Sequence, residues 1–132
     1  MPSPAAAATA LHVAVRVTDG VAVCTLRGTV APTDVPRLVD GIHAAFLASS
    51  EGVVMLDLTH VDQLPPAAVP GVLAAARHAR RQGHRLLVCG LRDDAVQPSA
   101  MRRLHALLTV LPDATSGLRA VAIEAGASTR PA

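Results

Sequence analysis

Two stretches of this 132-residue chain refuse to alternate: Val53-Val54-Met55-Leu56-Asp57-Leu58 and Leu86-Leu87-Val88-Cys89-Gly90. A strand with one wet face shows apolar residues at every second position. A nearly continuous apolar strand needs cover on both faces, the condition of a parallel sheet lying under helices. The two stretches are therefore expected to be neighbouring parallel strands, both inaccessible to solvent. Parallel neighbours need a crossover between them, so the intervening residues must supply a helix.

The remaining segments fit that frame. Leu11, Val13, Val15 and Val17 alternate with His12, Ala14, Arg16 and Thr18, the period of a half-buried strand. Asp19-Gly20 forms a hairpin turn into a second strand over residues 21–26. Thr33 or Asp34 caps a first helix with Pro36 in its first turn, and Val35, Leu38, Val39, Ile42 and Phe46 make its apolar face. Ser49-Ser50-Glu51-Gly52 ends that helix. A second helix closes near Gln82, with Gly83 as the left-handed residue after it. A third covers residues 98–109 with Met101, Leu104, Leu107 and Leu108 facing inward. Val110-Leu111 is extended, and a last helix spans residues 116–125. The sum is one α/β domain over residues 11–125. Its mixed, mostly parallel sheet opens with a hairpin and carries about four packed helices. Residues 1–10 and 126–132 show no apolar periodicity and are expected as disordered tails.

Composition removes several classes of function. All twelve cations are arginine, which excludes a P-loop lysine, a Schiff-base enzyme and a lysine general base. Phe46 is the only aromatic residue, so no stacking platform exists for single-stranded nucleic acid. The net charge of +2 is too small for a DNA-coating surface. No nucleic-acid partner is expected. No apolar stretch approaches the ~18 residues that cross a bilayer, so direct membrane insertion is not expected. The first cation, Arg16, lies too far in for the charged start of a signal peptide. Cys24 and Cys89 sit in apolar runs and read as buried, reduced thiols of a cytoplasmic protein.

Candidate chemistry gathers at the carboxyl edge of the sheet, where open α/β folds place their sites. Asp57 there is either a catalytic or metal-binding carboxylate or, more commonly, an acceptor for backbone N–H groups of the following loop. Asp62 and His60 lie near it in sequence. No histidine pair has the i,i+4 spacing of a zinc site and the cysteines form no Cys-x-x-Cys pair. His43, His78, His84 and His105 are therefore expected at the surface, with no metal and no cofactor. Ser99 is a cap or first-turn residue rather than a nucleophile. Arg77, Arg80, Arg81 and Arg85, with His78 and His84, form a positive strip at the end of the second helix. It either docks an acidic partner or complements the helix terminus and keeps an Ala-rich helix soluble.

Four pieces, in this order and spacing, resemble the STAS domain of bacterial anti-sigma factor antagonists. They are Leu26-Arg27-Gly28-Thr29-Val30, then Leu56-Asp57-Leu58-Thr59 with Val61, then Gly71-Val72-Leu73-Ala74-Ala75-Ala76-Arg77, and finally residues 82–91 from Gln82 to Leu91. In that family an Asp-Ser-Ser/Thr-Gly loop before the second helix is phosphorylated by a partner kinase, and the added charge breaks binding. This chain has Pro65-Pro66-Ala67-Ala68 there, or Pro66-Ala67-Ala68-Val69 in the shifted register. Neither contains a hydroxyl, and the nearest one upstream is Thr59. The family's acidic residue after the second strand is also missing, since Gly28-Thr29-Val30 runs into Ala31-Pro32. Pro65, Pro66 and Pro70 lack an N–H and have fixed φ. The regular helix is thus expected to start near Pro70, after a stiff approach poorly suited to holding phosphate.

The resemblance implies a non-enzymatic module that binds its partner constitutively. Its surface would join Ala31, Thr33 and Asp34 to His60, Asp62, Pro65, Pro66, Ala67 and Ala68, and to Arg77 on the outer face of the second helix. The implied partner is a kinase-type anti-sigma factor or a related regulatory protein controlling bacterial transcription. One alternative is an accessory STAS subunit of a transporter or larger assembly. Another, of a different class, is a small enzyme or ligand-binding protein using Asp57, Asp62 and His60.

Overall fold

The computed structural model describes residues 10–113 and 117–119. At its centre β3 (Val53–Gln63) lies parallel to β4 (Arg85–Cys89), pairing Val54 with Leu86 and Leu56 with Val88. The sheet has five strands in chain order, with β1 (His12–Thr18), β2 (Val21–Thr29) and β5 (Thr109–Leu111) completing it. The β1–β2 pair is antiparallel, and the other three pairs are parallel. Its hairpin turns on Asp19 and Gly20, both at positive φ (52° and 82°). That primed geometry matches the twist of the strands on either side.

Both faces of β3 and β4 are covered, which explains their unbroken apolar character. On one face Ala22, Cys24, Leu26, Val54, Leu56 and Val88 share a core with Leu38 and Ile42 of α1 (Val35–Ala48). The same core takes in Val69 and Val72 of α2 (Ala68–Arg81) and Leu104 of α3 (Pro98–Leu107). The other face carries a smaller core of Val21, Val23, Val53, Met55, Leu87 and Cys89, with Leu111 and Leu118 packed against it. Residues 117–119 are helical, at the start of the expected last helix. The rest of that helix, the tail over 126–132 and residues 1–9 lie outside the described residues.

Four local expectations change. β1 is exposed over most of its length rather than half-buried. Leu11 is buried and Val13 meets α1 at Gly41, but Val17 is 50% exposed and Val15 is also open. No described element covers that end of an edge strand. At α1, neither Thr33 nor Asp34 caps the helix through its side chain. A 3-10 turn over Pro32–Asp34 leads straight in, leaving Asp34 with helical backbone where a capping side chain needs an extended one. Its carboxylate accepts the Ala31 N–H instead, at 3.0 Å. α2 begins at Ala68, two residues before Pro70. Pro70 is then the third helical residue, whose N–H has no partner within a helix in any case, so the ring costs no hydrogen bond. α3 stops at Leu107, which is 60% exposed, and Ala100 and Leu104 take the inward positions with Met101 and Leu108 beside them.

Candidate partner-binding site

The carboxyl edge of the sheet is built by a defect in β3. Thr25 of β2 stands opposite Asp57, but Arg27 stands opposite His60, so β3 carries one residue more than its neighbour. A bulge of this kind reverses the in–out parity of everything after it. Leu58 and Val61 consequently both point into the core beneath the helices, although they stand three positions apart. Asp57 clamps the defect. Its Oδ1 accepts the Thr59 N–H at 3.0 Å and the Thr59 hydroxyl at 2.5 Å. This is the backbone-acceptor role expected of it. The strand end of β4 presses on the same point through Gly90.

Backbone hydrogen bonds tie the edge loops into one surface. Val30 N–H donates to the Gln63 carbonyl (3.1 Å) and Leu64 N–H to the Ala95 carbonyl (2.8 Å). Arg92 donates to the Val61 carbonyl (3.2 Å) and stands 3.9 Å from Asp62 and 3.5 Å from Asp94. Gly71 fits against Val35 and Val39, so the first turns of α1 and α2 adjoin and bring the turn holding Ala31, Thr33 and Asp34 beside the α2 entrance. At that entrance Pro65 is half-buried, Pro66 and Ala67 are exposed, and Ala68 is buried. The first backbone donors turn inward: Ala68 N–H bonds the Pro65 carbonyl (2.9 Å) and Val69 N–H the Pro66 carbonyl (3.2 Å). Pro70, Ala74, Arg77 and Arg81 are exposed at helical spacing, so Arg77 extends the same outer stripe about 10 Å along α2.

His60 departs from the expected surface. The bulge turns it onto the sheet face opposite the three helices, where it lines a cavity of about 310 Å³ with Asp57, Thr25, Arg27, Ala14 and Arg16. Asp62, paired with Arg92, is not in that lining, so the Asp57–Asp62–His60 trio does not converge. Among the described residues no three His, Cys, Asp or Glu side chains are grouped to hold a metal. Arg16, Arg27 and Thr25 went unmarked in the sequence, where each is an ordinary polar position of a strand. His43 and His78 meet edge to face, with ring centroids 6.2 Å apart, and His84 stacks on Phe46 at 5.7 Å. Ser99 is exposed in the first turn of α3, after Gln97 at the cap. Cys24 and Cys89 are unpaired and buried. Burial pushes the Cys24 thiol up to about 11 and, with the nearby Asp57 and Asp113 charges, Cys89 up to about 12.

No family model matches this sequence and no curated protein aligns with it. Solved structures do match, and the fold they share with this chain is that of the STAS domain. An anti-sigma factor antagonist from Mycobacterium paratuberculosis superposes with a TM-score of 0.63 at 20% identity, over 92% of this chain and 98% of its own. SpoIIAA, an anti-sigma factor antagonist in its unphosphorylated form, gives 0.61 at 18% identity over 87% and 98%. A variant of RsbS from Moorella thermoacetica gives 0.66 at 13% over 86% and 97%.

Proposed function

We propose that this chain is a non-enzymatic regulatory STAS module that binds a kinase-type anti-sigma factor, or a related regulatory protein, constitutively in the cytoplasm. The fold supports a regulatory module of the anti-sigma factor antagonist kind. One observation carries the constitutive part, the α2 entrance. Its exposed residues, Pro66 and Ala67, offer no hydroxyl, and the N–H groups of Ala68 and Val69 are already taken by Pro65 and Pro66. Neither a phosphate acceptor nor a phosphate cradle is present there.

The contact surface joins Ala31, Thr33 and Asp34, then Asp62, Pro65, Pro66 and Ala67, then the α2 stripe through Arg77. Prolines stiffen its middle, so docking orders few residues and keeps more of the interaction energy as affinity. Among the described residues no helix is long and apolar enough to cross a membrane. The reading needs no cofactor.

The test is incubation with a kinase-type anti-sigma factor from the same genome and ATP, followed by native and intact mass measurement. The expected result is a complex that persists without mass gain on this chain. A stoichiometric phosphate within residues 59–71 that dissociates the complex would overturn the constitutive reading. Failure to bind any such anti-sigma factor would favour the accessory-subunit alternative.

A further inference from the structure

The sheet face opposite the three helices is apolar over β3 and β4 and polar where β1, β2 and the end of β3 meet. Three rows cross it there. Arg16 pairs with Val23, Ala14 pairs with Thr25 opposite Asp57, and His12 pairs with Arg27 opposite His60. The middle row is floored by two short side chains, Ala14 and Thr25. The rows on either side, each about 7 Å away along the strands, raise long cationic ones. The result is the cavity of about 310 Å³ walled by Arg16, Arg27, His60 and Asp57. That lies at the small end of the roughly 300–1,000 Å³ typical of ligand pockets.

Two features separate this cavity from an ordinary wet sheet surface. Among the described residues neither Arg16 nor Arg27 meets a carboxylate within 4 Å, so both guanidinium groups are open to a ligand. Asp57 is the one buried charged side chain of the described residues, 8% exposed, and its Oδ1 is occupied by Thr59 while Oδ2 has no partner among them. The cavity thus places Arg16, Arg27 and His60 in one lining with Asp57, whose second carboxylate oxygen is open to solvent and free to accept. Guanidinium forks match phosphate oxygens, and a carboxylate beside them selects a ligand that also carries a hydroxyl or amine donor.

We propose that this cavity binds a small phosphomonoester bearing a hydroxyl, with the phosphate held by Arg16, Arg27 and His60 and the hydroxyl donating to Asp57. The site lies on the face away from α2 and is independent of the partner-binding surface.

Glycerol 3-phosphate, titrated at constant ionic strength into uniformly ¹⁵N-labelled protein, is the probe, with inorganic phosphate and glycerol in parallel. Saturable amide shifts at Thr25, Arg27 and His60 are expected, tighter for glycerol 3-phosphate than for inorganic phosphate and absent for glycerol. Arg16→Gln and Arg27→Gln, at exposed positions that leave the thermal midpoint unchanged, each weaken binding by about tenfold, one lost charge-assisted contact. The absence of saturable shifts up to about 10 mM, weaker than any useful small-ligand affinity, overturns the proposal. Saturable shifts that persist unchanged in the Arg16→Gln/Arg27→Gln double variant overturn it as well, because they place the probe elsewhere. Equal affinity for inorganic phosphate and glycerol 3-phosphate removes the role given to Asp57.

Discussion

Gly83 and Gly90 share one backbone conformation, with φ of 74° and 73°, and differ in everything around them. A Cβ at Gly83 meets nothing within 4 Å. A Cβ at Gly90 falls 2.8 Å from the Thr59 nitrogen and 2.9 Å from its Cα, and collides with the Thr59 hydroxyl as well. Gly83→Ala therefore costs only the left-handed conformation, about 1–2 kcal/mol. Gly90→Ala adds an overpacking term of about 1–3 kcal/mol against backbone that cannot swing away, for a total of about 2–5 kcal/mol. Urea unfolding of the two variants, compared at constant m, checks this. Equal losses would mean that β4 does not press on the β3 bulge. The bulge matters because it aims His60: Asp57 and Gly90 together hold the extra residue that reverses its direction.

At the scale of an element, the α2 entrance shows how three prolines fit without breaking a helix. Pro65 and Pro66 supply the carbonyls that take up the Ala68 and Val69 N–H groups, and Pro70 occupies a first-turn position that needs no donor. The entrance is closed to anions by its own hydrogen bonds. Ala67→Ser puts a hydroxyl at an exposed site yet leaves those bonds and the missing acid at Ala31 as they are. It should change stability by less than about 0.5 kcal/mol, as exposed substitutions usually do. It should also leave the complex with a kinase-type anti-sigma factor intact in the presence of ATP. Phosphate gain at position 67 with dissociation, read by intact mass and size-exclusion chromatography, would show that a hydroxyl alone was lacking.

For the molecule as a whole, composition and packing combine into a pH response. The chain has no lysine and no tyrosine, and arginine keeps its proton beyond pH 12, so between about pH 9 and 12 the two thiols are the only side chains that titrate. One lies in each core, Cys24 beneath the helices and Cys89 on the opposite face. Their folded values, about 11 and about 12, stand above the ordinary 9.0, so the folded state holds its thiol protons more tightly than the unfolded state. The corresponding stability is fully present below pH 9 and is lost as pH rises through 11 to 12. The expected loss is several kcal/mol, a large part of the roughly 5–15 kcal/mol that holds a domain together, so stability should fall markedly between pH 9 and 12. Guanidinium unfolding from pH 8 to 11 measures the decline. A Cys24→Ala/Cys89→Ala variant should show a flat profile over that range, and below pH 9 both native thiols should react with thiol reagents only on unfolding.

The local code accounts for the two covered strands, the Asp19-Gly20 hairpin, the apolar face of α1, the stop at Gly83 and the burial of both cysteines. Each of these depends on periodicity or turn chemistry within a few residues. The missing hydroxyl between Pro65 and Val69 is a matter of residue identity and is equally visible in the sequence. α2 starts two residues ahead of the point that Pro70 suggests, because a helix tolerates proline anywhere in its first turn. Exposure of Val15 and Val17 depends on how far α1 reaches across an edge strand, which no pattern in β1 encodes. The direction of His60 is the clearest tertiary decision. Simple alternation puts His60 and Asp57 on opposite faces, and one extra residue, held by the Asp57–Thr59 bonds and by the close approach of Gly90 from another strand, puts them on the same one. Arg16 and Arg27 gather there for a similar reason. They belong to strands whose register is set across the sheet, so only the assembled sheet makes them neighbours of a buried carboxylate.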